Sequence, residues 1–245
     1  MNSLTRFVVL AAGLSLGCAN LHAAEAKPHI VLLSGESLYG SATTLPSFAK
    51  RLGQEHGYRC TVIVREEKHR FPGLDALGQA DLVIVYARRM QLPAGQLGQM
   101  KRYVESGKPV IGLRTASHAF QNWLEFDKLV LGGNYQGHHK NNLSGNASVV
   151  PAAKGHPILA GVSSKPFDVG GSLYRVNPLK KSCVPLVSGR VKGAPVEPVA
   201  WTHAYRGGCA QNGLLCGVPS VVQRPSQCQR LPPVRTVSYT HLRAH

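Results

Sequence analysis

Between residues 27 and 113, short uninterrupted apolar runs alternate with stretches in which apolar residues return every three or four positions. HIVLLS (29–34), CTVIV (60–64), DLVIVY (81–86) and PVIGL (109–113) are five or six residues long and apolar on both sides of any pleat. That is the pattern of strands buried on both faces of a parallel sheet. The intervening segments 45–55, 74–79 and 94–105 carry helical spacing, with Phe48, Ala49 and Leu52 on one face and Pro46 tolerated in the first turn. Strands alternating with helices about every 25 residues describe right-handed βαβ units. The fold class predicted is α/β, a doubly wound, mostly parallel sheet with helices on both faces. Beyond residue 126 the runs shorten and Gly and Pro become more frequent. ASVVP (147–151), SLYRV (172–176), PLVSG (185–189) and PVAWTH (198–203) are expected as strands of the same domain, forming a mixed or antiparallel edge.

The ends read differently from this body. Arg6 followed by FVVLAAGLSLG (7–17), with small residues at Ala23 and 24–26, is the pattern of an export signal over residues 1–26. Cys18 suggests a lipoprotein box, but Ser15 stands where a branched aliphatic residue is usual, which favours simple cleavage and a periplasmic or secreted chain. No other stretch approaches a membrane span. At the other end, residues 209–245 hold no Asp or Glu, three of the six cysteines, four prolines and four arginines, without periodicity. The final VSYTHLRAH resembles translated sequencing adapter. The tail is therefore read as aberrant, non-native or disordered, from a frameshift near Gly208. Residues 27–208 remain as the folded domain. Its cysteines, Cys60 and Cys183, are expected as free buried thiols.

Composition changes the picture at one point. The net charge is +16, of which the tail carries +4. The remaining basic residues are scattered, with doublets at 88–89, 101–102 and 180–181, and only 7% of residues are aromatic. No stacking platform interleaves with a basic stripe, so nucleic acid is not the expected partner.

In open α/β sheets, ligands bind beyond the carboxyl ends of the strands. Glu36 and Tyr39 follow the first strand, Arg88 and Arg89 the third, and Arg114, Thr115, Ser117 and His118 the fourth. Asn134, Tyr135, His138 and His139 come from a later loop, and His203 ends the last strand. In GLRTASHAF (112–120) a strand runs into a small-residue turn and then an expected helix, the layout of a nucleophile elbow. Arg114 occupies the nucleophile position. A guanidinium has no lone pair to offer, but it clamps carboxylates, phosphates and polarised carbonyls. Adjacent side chains on a helix diverge by about 100°, so a Ser117–His118 hydrogen bond is not expected and Ser117 reads as a capping residue. His118 is either a rim acid, base or ligand, or a structural histidine. A divalent metal would need His138 and His139 joined by His118, His203 or Glu36. The spacing matches no compact zinc motif, so no cofactor is assigned. His29 and His156 read as structural, and His56 and His69 as surface residues.

The chain resembles the ThuA-like, trehalose-utilisation type family. The residues that carry the likeness are GESLYGSATTLPSFAK (35–50), ADLVIVYARRMQLP (80–93), GKPVIGLRTASHAF (107–120), FDKLVLGGNYQGHH (126–139), GHPILAGV (155–162), GSLYRVNPL (171–179) and EPVAWTHAYRGG (197–208). The resemblance implies a class I glutamine amidotransferase-like, flavodoxin-like fold, but Arg114 stands at the cysteine of the amidotransferase elbow and Ala116 at its second glycine, which rules out glutamine amidotransferase chemistry. Relatives continue past the Gly-Gly with a strand, a Gly-His-Pro loop and a closing helix, and this sequence departs from them there. The implied role is in carbohydrate metabolism, on a sugar or oxidised sugar derivative. In an enzyme, a hydrolase or isomerase, Arg114, His118, Glu36 and His203 would be catalytic. Tyr39, Arg88, Arg89, Thr115, Ser117, Asn134, Tyr135, His138 and His139 would bind substrate. The alternatives are a non-catalytic module that binds a carbohydrate or a partner, and a metal-dependent hydrolase built on the histidines. The oligomeric state is left open.

Overall fold

The computed structural model describes residues 27–139 and 143–205; the leader over 1–26 and the tail over 209–245 lie outside the described residues. Four parallel strands, β1 (His29–Gly35), β2 (Arg59–Val64), β3 (Leu82–Ala87) and β4 (Val110–Gly112), pair in the order β2-β1-β3-β4. Every residue of β1 is buried, as a strand central to a covered sheet requires. Its side chains alternate between two cores. Val31 and Leu33 pack with Met100, Tyr103 and Val104 of α2 (Ala94–Glu105) and with Phe120, Phe126 and Leu131. Ile30 and Leu32 pack on the other face with Leu45, Ala49 and Leu52 of α1 (Ser41–His56).

Helix α1 begins before the position where apolar spacing starts. Gly40 sits at its N-cap in the left-handed region (φ 68°), and the Ser41 amide is held by a carboxylate upstream in the chain, Glu36. Gly57 (φ 68°) closes α1 by donating to the carbonyls of Gly53 and Leu52, a left-handed cap that glycine adopts without a Cβ clash. The segment Leu74–Gln79 is a 3₁₀ helix packed against α2 through the same core.

The second half departs from expectation. Its strands β5 (Leu143–Val149), β6 (Phe167–Gly171), β7 (Cys183–Val191) and β8 (Glu197–His203) do not extend the parallel sheet; they form a separate antiparallel sheet in the order β6-β5-β7-β8. Ala147, Leu186, Val187 and Ala200 face the α1 side of the parallel sheet and share its core. β6 is mostly exposed, so this sheet buries one face where the first buries two. The expected strand at 172–176 is instead a ribbon partner of the loop at 136–139: Gln136 N–H donates to Arg175 O, Arg175 N–H to Gly137 O and His139 N–H to Leu173 O. Leu173 and Val176 are buried, while Tyr174 turns outward to the rim. Cys60 and Cys183 are free, as expected, though half-buried. Among the described residues no helix is long and apolar enough to cross a membrane.

Candidate functional site

The rim is built on the turn after β4. Arg114 opens a 3₁₀ turn, Arg114–His118, with a φ of 43°, a backbone region that a residue with a Cβ seldom occupies. This is the sharp strand-to-turn junction anticipated from GLRTASHAF, though the 3₁₀ turn takes the place of the helix expected after it, and it throws the guanidinium onto the rim. There its central carbon lies 4.1 Å from the Tyr39 ring centre and 5.5 Å from that of Tyr174, and Nη2 donates to Ser172 Oγ at 3.3 Å. Burial opposes its charge, but the hydrogen bond to Tyr39 and the nearby phenols of Tyr174 and Tyr86 more than offset that, so Arg114 stays protonated.

One turn on, the His118 ring stacks on Tyr135, centroids 4.5 Å apart at 18°, with Tyr174 tilted at 6.0 Å. Burial first, and then the charges of Arg88, Arg89 and Arg114, push its pKa down to about 4, so the imidazole is neutral at pH 7. His118 Nδ1 and Ser117 Oγ are 3.1 Å apart, contrary to expectation. Both atoms lie close to their own backbone, so a short hydroxyl meets the near ring nitrogen despite the angular divergence of the side chains. Ser117 Oγ also lies 3.5 Å from Arg114 O. If the hydroxyl donates there, it accepts from Nδ1–H, which leaves the Nε2 lone pair to take a proton.

Glu36 is buried beneath the Tyr39 loop. Its Oε2 accepts from the amides of Leu38 (2.6 Å) and Tyr39 (2.8 Å), and its Oε1 from Ser41 (2.9 Å). That carboxylate shapes the loop that carries Tyr39 under Arg114. Thr115 is likewise buried, its hydroxyl without a hydrogen-bond partner among the described residues, so it faces the interior. Arg88 and Arg89 follow β3, and the loop is tied to the elbow by Arg89 N–H to His118 O (2.9 Å) and Met90 N–H to Ala119 O (2.7 Å).

The later residues divide. Tyr135 and His138 stand with the rim, His138 stacked at 6.4 Å on Tyr174. Asn134 donates to Asn177 O and so braces the loop. His139 lies 3.4 Å from Glu197 Oε1. His203 is not brought to Arg114 or His118. It is buried between Leu129 O (3.2 Å), Ser182 Oγ (3.0 Å) and Cys183 Sγ (3.6 Å), and shares no partner with either. Burial lowers its pKa and raises that of the Cys183 thiol to about 11, so both are neutral. Gly132 (φ 70°) makes room for this pair: a Cβ there would lie 2.5 Å from Cys183 Sγ. Among the described residues no three His, Cys, Asp or Glu side chains converge in a way that could hold a metal.

His29 and His156 are structural, as expected. His29 bonds Thr61 Oγ1 at 2.8 Å, and His156 accepts from Ile158 N–H. His56 and His69, expected on the surface, are half-buried.

Several supporting residues escaped the sequence reading. Tyr174 lay within the SLYRV run and was read there as part of a strand. Glu197, buried, accepts from the amides of Val176 (3.0 Å) and Asn177 (3.1 Å) and pins the ribbon. Asp127 accepts from Tyr135 N–H at 2.7 Å and fixes the ring that stacks on His118. Burial raises its pKa to about 6. The only signal for either carboxylate was an acidic residue within an otherwise apolar stretch.

A family model described as trehalose utilisation (ThuA) matches residues 31–211. The chain belongs to the ThuA family. Two solved ThuA-like proteins share its fold, each with a TM-score of 0.59. The one from Bacteroides uniformis is 16% identical, covering 81% of this chain and 84% of its own. The one from Parabacteroides merdae is 15% identical, covering 78% and 79%. At that identity the likeness is one of fold. No curated protein matches the chain in sequence. The ThuA match spans the elbow, the Tyr39 loop and the Tyr174 ribbon, so every residue of the rim lies within the part of the chain that defines the family.

Proposed function

We propose that this ThuA protein binds a sugar or oxidised sugar derivative on the rim between Tyr39, Tyr135 and Tyr174 and acts on it without a cysteine nucleophile. The observation that carries the reading is the pairing of a permanently charged Arg114 with a neutral His118 on one strained turn. The guanidinium orients and polarises a carbonyl or anionic oxygen, and His118 Nε2 accepts a proton from the carbon or hydroxyl beside it. The phenol rings offer flat faces and hydroxyls of the kind that suit a pyranose. Family membership supports carbohydrate metabolism as the setting. The leader sequence supports action outside the cytoplasm, which amino-terminal sequencing of the exported chain would test.

The experiment is a product screen of trehalose, glucosides and their keto and acid derivatives against the wild type, Arg114→Ala and His118→Gln. Turnover should fall by at least ~10²-fold in each variant, with melting unchanged. Undiminished turnover in both would refute the reading. One observation favours a second reading: the Glu36 carboxylate is engaged by three backbone amides and shapes the Tyr39 loop, which takes away the carboxylate expected to serve as a second acid or base. A purely binding role predicts saturable sugar binding, lost with Arg114→Ala, and no product from any sugar bound.

A further inference from the structure

Beside the rim, a cavity of about 530 Å³ opens between the carboxyl ends of β2, β1 and β3. Its wall is strongly one-sided. Arg65 leaves the end of β2, Lys68 and His69 come from the following turn, and Arg88 and Arg89 leave the end of β3. The one carboxylate on the wall, Glu36, is the one occupied by three backbone amides. Among the described residues none of the four fixed cations forms an ion pair. His69 Nδ1 accepts from Gln91 N–H at 2.9 Å, which leaves Nε2–H as a further donor. Four unpaired cations facing one space repel one another, a cost that a bound anion removes.

The position agrees with the charge. β1 is followed by β2 on one side and β3 on the other, so the loops after β1 and β3 part at the reversal of strand order, where open α/β sheets leave a crevice. Glu36 and Ser37 line the cavity from the first of these loops, Arg88 and Arg89 from the second.

We propose that this cavity is an anion subsite for a dianionic phosphoryl group. Four fixed cations against one carboxylate leave three positive charges, of which a single carboxylate would neutralise only one. Three arginines offer the forked donors that phosphate oxygens accept. The subsite rests on the cavity alone. That the rest of the ligand is a sugar rests on the function proposed above, since Arg88 and Arg89 border both places.

The test is calorimetric titration of the full chain at pH 7.5 with inorganic phosphate, glucose 6-phosphate, glucose and gluconate. Inorganic phosphate should bind, weaken steeply as sodium chloride is added, and lose about tenfold or more in Arg65→Ala/Lys68→Ala, with an unchanged melting temperature. Arg65→Lys should retain most of the affinity, and Arg114→Ala should leave phosphate binding intact. No phosphate binding, an affinity indifferent to the double variant, or gluconate bound as tightly as phosphate would each overturn the proposal. If phosphate binds as expected but glucose 6-phosphate gains nothing over it, the anion subsite stands and the sugar reading of the rim falls.

Discussion

The two sheets solve the same packing problem unequally. β1 buries all seven of its residues and feeds two cores, whereas β6 leaves Phe167, Asp168, Gly170 and Gly171 exposed. The rim cations Arg88, Arg89 and Arg114, and the neutral His118 beside them, all leave the ends of the deeply buried sheet. Of the partners that shape them, Tyr39 comes from the loop after β1, held by Glu36, while Tyr135, Ser172 and Tyr174 come from loops belonging to the shallow half, held by buried Asp127 and Glu197 together with the short backbone ribbon between 136–139 and 173–175. The stiff sheet thus supplies the charged chemistry, and the half with fewer apolar contacts supplies the contour around it.

The contrast breaks if substitutions in the two halves cost the same. Leu33→Ala, which empties a position with no exposure in the first sheet, should lose about 2–5 kcal/mol in a denaturant titration. Gly35→Ala comes next. A Cβ there would lie 2.5 Å from Met90 Sδ and 2.8 Å from Ala87 Cβ and Phe71 Cζ, an overpacking expected to cost about 1–3 kcal/mol by the same measurement. In the shallow half, Glu197→Gln should cost about 1–2 kcal/mol, because one amide oxygen can still accept from both Val176 and Asn177 but without the charge that strengthens those hydrogen bonds. Its distinguishing mark would be faster amide exchange confined to residues 173–177. A uniform change across β1 as well would deny the ribbon its separate tether.

His118 sharpens the comparison through pH. Its folded pKa, about 4, lies below its ordinary value of 6.5. Between those values the unfolded chain holds the extra proton, so stability contributed by the neutral ring is lost as pH falls from 6.5 towards 4. Asp127, raised to about 6, acts in the opposite sense and gains stability over part of the same window. His118→Gln should therefore make the acid limb of a melting-versus-pH curve shallower or reverse it; an unchanged slope would deny that the ring is held neutral. The smallest effect should come from Phe167→Ser on the exposed strand, within about 0.5 kcal/mol of wild type.

How much of this was legible follows the same division. Residues 29–113 declare themselves because a strand covered on both faces must be apolar at every position, and the four parallel strands were read within a residue or two. The elbow was legible as a strand running into small residues. In the second half the runs at 185–189 and 198–203 fall within β7 and β8 and that at 147–151 overlaps β5, but β6 and the separation into a second sheet were not legible, since a strand with one wet face resembles any short mixed run, and SLYRV places buried Leu173 and Val176 out of strand alternation. At the site, the rim cations and His118 could be placed by their distance from strand ends. The buried carboxylates Glu36, Asp127 and Glu197 could not be assigned, because what they bind is backbone, which has no sequence signature. His203 misled because the end of an antiparallel strand need not point towards the rim of a parallel one.

The two backbone hydrogen bonds that join the Arg88–Arg89 loop to the elbow have a consequence for selectivity. Side chains can swing to suit a guest, but the offset between these two chain segments is set by peptide groups. A ligand that reaches from the basic cavity to His118 is therefore measured against a fixed gauge. Across a homologous series of such ligands, binding should peak at one length instead of rising steadily with size.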